Sequence, residues 1–341
     1  MKEKSRLARV GFRPHFKTHV SIEIAQLFSG SIEAITVSSL EMAEYFADAG
    51  WTDILLAFPA NLRRISALDD LAGRIFLTLI IENLTAVEQL QSLMTQQFSL
   101  SIKVDTGYGR TGVSWRNAKE ILGLAEAIDK GGNSTLKGTV SHDGHSYDCR
   151  SIAEIEKVHK SSLENLRAVK GLLAPAYPEL EYSVGDTPTC SSMHDFSPAT
   201  EIRPGNFVFY DLTQVQIGSC SEDEIAVAMA CPIVAIHRER SELIIHGGKV
   251  HFAQDRVYHP NVGTEVYGLV VVDDGDTWGK SGKSYLKKLS QEHGTVHMAE
   301  EDLDKYQVGD LILILPVHSC TCANLMGEYL SLDGKVISRM R

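Results

Sequence analysis

The sequence predicts an α/β chain in two parts: an N-terminal (β/α)8 barrel of the TIM type over residues 1–214, then a mostly β domain over residues 215–341. Two observations predict it. Up to about residue 210, eight short β-rich runs alternate with helix-length connections, a pattern that suits a closed barrel better than the alternative, a doubly wound open sheet. After residue 215 the helical period fades, and β-rich runs are separated by Gly, Asp and Asn turns.

The expected barrel strands are Val10–Lys17, Ala34–Val37, Asp53–Ala57, Ile75–Ile81, Leu100–Asp105, Leu136–His142, Leu180–Val184 and Phe207–Tyr210. Between them, Ser39–Ala49 reads as a helix capped by Ser39 and stopped by Gly50, and Ser151–Leu173 as a longer helix. In the second domain the β-rich runs are Ile225–Ile236, Glu242–His246, Val266–Val272 and Leu311–Val317.

Composition narrows the function classes. A hydrophobic content of 43% with 23% charged residues supports a packed core and excludes a disordered chain. The net charge of −11 leaves little electrostatic footprint for nucleic acid. No apolar run approaches the ~18 residues that a membrane span needs, and the first twenty residues hold no signal-peptide core. Six cysteines scattered over a long chain read as reduced thiols, so the cytoplasm is the expected location.

Chemistry-bearing residues concentrate in Arg13-Pro14-His15-Phe16-Lys17-Thr18-His19. On a strand, Arg13, His15, Lys17 and His19 share one face. Turned into a barrel, that face would bury Lys17 among cations and lower its pKa, as an amine that bonds a carbonyl requires; a solvated basic edge strand is the alternative. A second pair, His318 and Cys320, follows the run Leu311–Val317. On an extended chain the two face one way, and an imidazole with a thiolate suits Zn²⁺ better than Mg²⁺; a satisfied histidine beside a buried cysteine is the alternative. Cys322 is an extra thiol, facing away or serving as a spare ligand. Gly279-Lys280-Ser281-Gly282-Lys283-Ser284 looks like a phosphate loop, but Thr277 stands where its first glycine is required, so it reads as an exposed basic loop. For His293, in Gln291-Glu292-His293-Gly294, a structural or surface role is the plainer reading, and support of a metal ligand is the alternative.

Arg13 to His19 resembles the lysine motif of the fold-type III pyridoxal-phosphate enzymes of the D-serine dehydratase and D-threonine aldolase family, which are alanine racemase-like. The resemblance continues through Val104-Asp105-Thr106-Gly107-Tyr108-Gly109-Arg110-Thr111-Gly112, His142-Asp143-Gly144-His145-Ser146-Tyr147, Ser183-Val184-Gly185-Asp186-Thr187-Pro188-Thr189 and Arg203-Pro204-Gly205-Asn206-Phe207-Val208-Phe209-Tyr210-Asp211. It implies that Lys17 bonds pyridoxal 5'-phosphate and acts as the catalytic base. It also implies that Arg110, Tyr147, Thr187, Gly205 and Asn206 contact the cofactor, and that His318 and Cys320 hold Zn²⁺ or another divalent metal. The implied activity is that of a lyase on a D-β-hydroxy amino acid, giving a keto acid and ammonia in the manner of D-serine dehydratase. Aldol cleavage to glycine and an aldehyde is the nearest alternative. A racemase lacks an assignable second base, and a non-catalytic cofactor carrier does not explain the β domain. The implied assembly is a homodimer. Val140 stands where some members of the family have a tyrosine.

Overall fold

The computed structural model describes residues 1–28, 33–275, 278–279 and 282–340; Thr277, Lys280 and Ser281 of the phosphate-loop-like stretch lie outside them. The chain divides into two compact units, Met1–Gly205 with Met340, and Asn206–Arg339.

In the first unit eight strands form the ring of a parallel sheet: β1 (Gly11–Phe12), β2 (Ala34–Val37), β3 (Asp53–Pro59), β4 (Phe76–Ile81), β5 (Phe98–Asp105), β6 (Ser134–Val140), β7 (Glu181–Val184) and β8 (Glu201–Ile202), with the short strand Val113–Ser114 pairing beside β5. The strands β2 to β8 pair in chain order, and β1 pairs with β8. The ring closes just after β1, where the Phe16 N–H donates to the Thr36 carbonyl (2.8 Å) and the Thr36 N–H to the Pro14 carbonyl (2.9 Å). The expected barrel is therefore observed.

Alternation along the strands sorts residues to the two faces. On β5, Leu100, Ile102 and Val104 pack outward in one cluster with Ile121 and Leu124 of the helix Ala118–Asp129. The opposite face is mixed: Leu55, Ile80 and Val140 form a small apolar cluster there, and Thr78, Ser101, Thr139 and Ser183 lie beside it with Arg13 and Glu201. Arg13 is buried there, its guanidinium donating to Glu201 (2.8 Å) and Asp53 (2.7 Å), which ties β1 to β8 and β3. Burial would lower the Arg13 pKa, but those two carboxylates more than offset it and raise it.

Both expected helices form, as Leu40–Asp48 and Ile152–Leu173. The Ser39 hydroxyl accepts from the Met42 N–H at 3.2 Å and Ser151 from Glu154 at 3.3 Å, contacts that typically contribute about 1 kcal/mol each. Gly50 ends the first helix at φ +95°, a region where only glycine is unstrained.

Two expected strands need correction. The eighth is Glu201–Ile202, because the carbonyls of Thr200, Ile202 and Pro204 accept the N–H groups of Gly11, Arg13 and His15. Phe207–Tyr210 is apolar enough to suggest a strand, but Asn206–Val208 is a short 3₁₀ turn and Tyr210 has φ +51°. The first strand ends at Phe12, and after the His15 bridge the chain turns, with Val20 at φ +42°.

The second unit is built on an antiparallel sheet. Strands Gly268–Asp273, Tyr285–Leu289, His293–His297, Glu242–His246, Met229–His237 and Leu311–Pro316 pair in that order, and the last pairs back on the first to close a six-stranded ring. Cys231, Ile233, Leu243, Ile245, Val296, Ile312 and Ile314 fill its core. The four β-rich runs expected here all contribute strands. Among the described residues no helix is long and apolar enough to cross a membrane.

Candidate functional site

In the first unit the candidate residues sit beyond the C-terminal ends of the strands, the face where barrels of this kind carry their chemistry. Lys17 lies on the turn after the closing bridge, its N–H 3.3 Å from His15 Nδ1. Gly205 backs onto the same segment: a Cβ there would lie 3.0 Å from both the Cβ and the carbonyl oxygen of His15. The expected burial of Lys17 does not occur, since its side chain is exposed. Nor do the four residues share a face. Arg13 is tied to carboxylates, and His19 is buried against Phe16, 4.6 Å between ring centroids. The turn after His15 breaks the alternation.

The buried amine is Lys103, on β5 and 5% exposed. Burial, then the charges of Arg203 and Arg110, hold its pKa down at about 7 against the pull of Asp143 and Asp105. Arg203 is buried too, donating through Nε to Ser183 Oγ (2.7 Å), and burial lowers its pKa to about 10. His15 and His142 are held neutral: burial first, then Lys17 and Arg203 for His15 and Lys103 for His142, push both well below the usual imidazole range. Burial is the larger cause of both shifts, and the neighbouring cations add to it.

Around it, the Tyr147 hydroxyl accepts the Thr187 N–H (3.3 Å), and the Tyr147 ring lies 6.4 Å from His142. Thr187 is buried and opens a short helix capped by Asp186, which accepts the Thr189 N–H at 2.7 Å. Burial and the Asp143 charge raise the Asp186 pKa to about 7. Arg110 is exposed, its guanidinium 5.3 Å above the Tyr108 ring, which in turn meets His142 edge-on at 5.8 Å. So Lys17 and Gly205 meet through His15, Tyr147 and Thr187 meet directly, and Arg110 joins them through Tyr108.

Asn206 belongs to the second unit. Its side-chain amide donates to Asp211 (2.9 Å), Ser319 Oγ (2.9 Å) and Cys320 Sγ (3.3 Å). His318 and Cys320 come together, though not on an extended chain: His318 is the residue before the helix Ser319–Met326, and Cys320 is in its first turn. Their hydrogen bond is the largest cause raising the His318 pKa to about 9, with Asp211 and Asp255 adding to it; His318 Nδ1 is 3.4 Å from Asp255. Asp211 is buried, which raises its pKa, and it accepts the Ser319 N–H at 3.0 Å. Cys322 faces the core, accepting the Ala253 N–H at 3.3 Å. His293 is exposed at the start of its strand, opposite His246.

Sequence reasoning gave no role to Lys103, Arg203, Asp211 or Asp255, although Arg203 and Asp211 end one of the motifs that carry the resemblance. Lys103 carried a signal: in Leu100-Ser101-Ile102-Lys103-Val104 the polar residues alternate with the apolar ones and therefore face inward. Asp255 carried none, standing far from His318 in sequence.

Both sets of residues fit the groups the resemblance implies. The barrel end offers amines, guanidinium groups and a glycine-backed segment to an anionic cofactor. The second unit offers nitrogen, sulfur and a nearby carboxylate, donors that suit a borderline divalent ion.

A closed parallel barrel with its polar groups at the strand ends, joined to an antiparallel β unit, defines a chain of the alanine racemase class. Residues 2–212 match the family described as alanine racemase, N-terminal domain, and the chain belongs to that family; residues 226–332 match the putative serine dehydratase domain. It is 28% identical to D-serine dehydratase of Dictyostelium discoideum, covering 100% of this chain and 91% of that protein. It is also 28% identical to D-threo-3-hydroxyaspartate dehydratase of Delftia sp. (strain HT23), covering 98% and 91%. The solved structure of the Delftia enzyme has a TM-score of 0.89 at 26% identity, covering 100% of this chain and 93% of that one. That enzyme has also been solved as a cysteine-to-alanine variant in the metal-free form and as a histidine-to-alanine variant, the two exchanged positions being two residues apart. D-threonine aldolase from Filomicrobium marinum shares the fold, with a TM-score of 0.82 at 20% identity over 99% of this chain and 89% of that one.

Proposed function

We propose that this chain is a lyase that uses pyridoxal 5'-phosphate and a divalent metal, Zn²⁺ in the first instance, to eliminate water from a D-β-hydroxy amino acid; the released enamine then takes up water to give a keto acid and ammonia. The observation that carries this reading is the hydrogen-bonded pair His318 and Cys320, which has the spacing of the histidine and cysteine exchanged in the Delftia dehydratase.

Lys17 Nζ would hold the cofactor, and the same amine would take the proton from the substrate Cα. Its exposed position beside neutral His15 leaves that amine accessible. Tyr147, Thr187, Gly205, Asn206 and Arg110 bind and orient the cofactor, with the Thr187 hydroxyl and the Gly205 N–H suited to its phosphate. His318 and Cys320 hold the metal, and Asp255 orients the His318 ring through Nδ1. When bound, the cofactor supplies a sink for the negative charge left at Cα and the metal supplies Lewis acidity toward the β-hydroxyl. The proposed setting is the cytoplasm, which the six scattered thiols suggest, and the proposed assembly a homodimer, as the resemblance implies.

Product analysis tests the reaction. Incubated with pyridoxal phosphate and Zn²⁺, the protein should release keto acid and ammonia from D-serine or D-threo-3-hydroxyaspartate. Rapid glycine formation from D-threonine, with no keto acid from the other two, would replace this reading with the aldolase.

A further inference from the structure

The second unit holds another convergence of metal-binding side chains, away from His318 and Cys320 in sequence and unused by the proposed reaction. Strand Glu242–His246 runs antiparallel to His293–His297, with His246 opposite His293. Beyond His246 the chain crosses closely over residues 290–292: the N–H of Gly247 donates to the Glu292 carbonyl (3.0 Å), Lys249 to Ser290 (2.8 Å) and Val250 to Gln291 (3.2 Å). Glycines make the crossing possible. A Cβ on Gly248 would lie 2.3 Å from the Gln291 carbonyl oxygen, and one on Gly294 2.6 Å from that of Gly247. The His251 N–H then donates back to the Gly248 carbonyl (3.0 Å), which turns that side chain toward the strand. As a result His246, His251 and Glu292 each present one ligand atom, all within 4.8 Å of one another. The two imidazole rings stand 5.0 Å apart and nearly perpendicular, and His246 Nε2 is 3.6 Å from the Glu292 carboxylate.

We infer that His246, His251 and Glu292 form a second metal site, one that takes a borderline divalent transition ion such as Zn²⁺ or Co²⁺ and completes its coordination with water. Two imidazoles and one carboxylate are the donors such ions prefer, whereas Mg²⁺ favours oxygen alone. This inference does not rest on the proposed reaction.

The geometry also sets the strength of the site. His251 Nδ1 accepts the Gly248 N–H at 3.2 Å. Ligation through Nδ1 uses that lone pair, and ligation through Nε2 moves the ring proton onto Nδ1, so the bond is lost either way. Losing it weakens binding by up to roughly tenfold. With no thiolate among its donors and solvent-exposed His246 and Glu292, this site should hold its ion less tightly than His318 and Cys320 and release it to a chelator without unfolding.

Equilibrium dialysis of the full chain against Zn²⁺ tests the inference. The wild type should bind about two ions per chain, and His251→Ala or Glu292→Gln about one. The double variant His318→Ala with Cys320→Ala should also keep about one. In Co²⁺-loaded protein that remaining ion should show weak ligand-field bands without sulfur-to-cobalt charge transfer, and excess Mg²⁺ should not displace it. Turnover of His251→Ala should match the wild type. Unchanged ion binding in both His251→Ala and Glu292→Gln, with circular dichroism showing both folded, would overturn the site. A folded double variant that bound no ion would do the same. Loss of an ion in His251→Ala but none in the double variant would instead refute the His318 and Cys320 assignment and leave this site standing.

Discussion

The two units shift the cationic groups of their candidate sites in opposite directions. At the C-terminal ends of the barrel strands the surplus is cationic. Lys103 is held down at about 7, Arg203 at about 10, and His15 and His142 well below their usual range. In the second unit the surplus is on the acceptor side: Cys320, Asp211 and Asp255 together hold the His318 imidazole protonated up to about 9. A region that suppresses its own cations is suited to receive an anion. A region that clings to a proton is suited to exchange it for a metal. Burial is the largest cause of all four barrel shifts, whereas the Cys320 contact is the largest cause of the shift at His318.

The sharpest way to break this contrast is to ask which amine takes the cofactor. Borohydride treatment of protein incubated with pyridoxal phosphate should fix the label on Lys17, and Lys17→Ala should lower turnover by about 10⁴-fold or more. Peptide mapping that found the label on Lys103 would transfer the role to the buried amine. On the metal side, His318→Ala or Cys320→Ala should lower turnover at least about 10²-fold, since even residues that only orient a metal ligand contribute 10- to 100-fold. Asn206→Ala sharpens the comparison further. Its amide reaches Cys320, Ser319 and Asp211, so the substitution should weaken Zn²⁺ binding by about 10- to 100-fold, with a smaller effect on cofactor binding, both read by titration. The reverse ranking would return Asn206 to the cofactor alone.

How much of this was legible in the sequence depends on whether the signal was local. Serine before an amphipathic run and glycine after it predicted the helix Leu40–Asp48 because a cap involves neighbours only. Seven of the eight barrel strands began near their expected places for the same reason, as alternating or continuous apolar runs. The eighth was missed because Glu201-Ile202 becomes a strand only through β1 and β7, and its charged residue is stabilised by Arg13, 188 positions away. His318 and Cys320 were identifiable as residue types, whereas the helix that brings them together was not. Lys17 was expected to be buried because alternation was carried past His15, where the chain turns. The burial belongs to Lys103, whose partners Arg203 and Asp143 arrive from other strand ends.

The opposite shifts also predict opposite pH dependences in protein free of cofactor and metal. Lys103 titrates at about 7 when folded and near 10.5 when unfolded, so the unfolded chain binds the extra proton between those values and stability rises with pH across them. Lys103→Met should therefore be more stable than the wild type at pH 7, and the difference should shrink toward pH 10. His318 titrates at about 9 when folded and near 6.5 when unfolded, so its support is complete below pH 6.5 and disappears as the pH rises through 9. Cys320→Ala should be less stable than the wild type at pH 6, with the gap closing by pH 10. Thermal unfolding of the three proteins from pH 6 to 10 checks both signs, and curves of the same slope for both differences would end the contrast between the units.

The smallest effect should come from a residue that contributes only to the barrel's local structure. Ser151 caps Ile152–Leu173 by accepting the Glu154 N–H, and Glu154 in turn accepts the Arg150 N–H at 2.6 Å, so the helix start is held from both sides. Ser151→Ala removes one of these contacts and should lower stability by about 1 kcal/mol. That corresponds to a fall in Tm of about 2–4 °C for a unit of this size. Neither the labelling of Lys17 nor the Zn²⁺ stoichiometry should change, because Ser151 touches none of the groups whose charges define the two regions. By contrast, the helix Ser319–Met326 receives no side-chain cap from His318, the residue before it, and its Ser319 N–H donates to Asp211. Asp211→Ala should therefore destabilise the chain and weaken Zn²⁺ binding together, where Ser151→Ala does only the first. If Ser151→Ala also reduced Zn²⁺ binding, the separation of the two regions into independently tuned charge environments would fail.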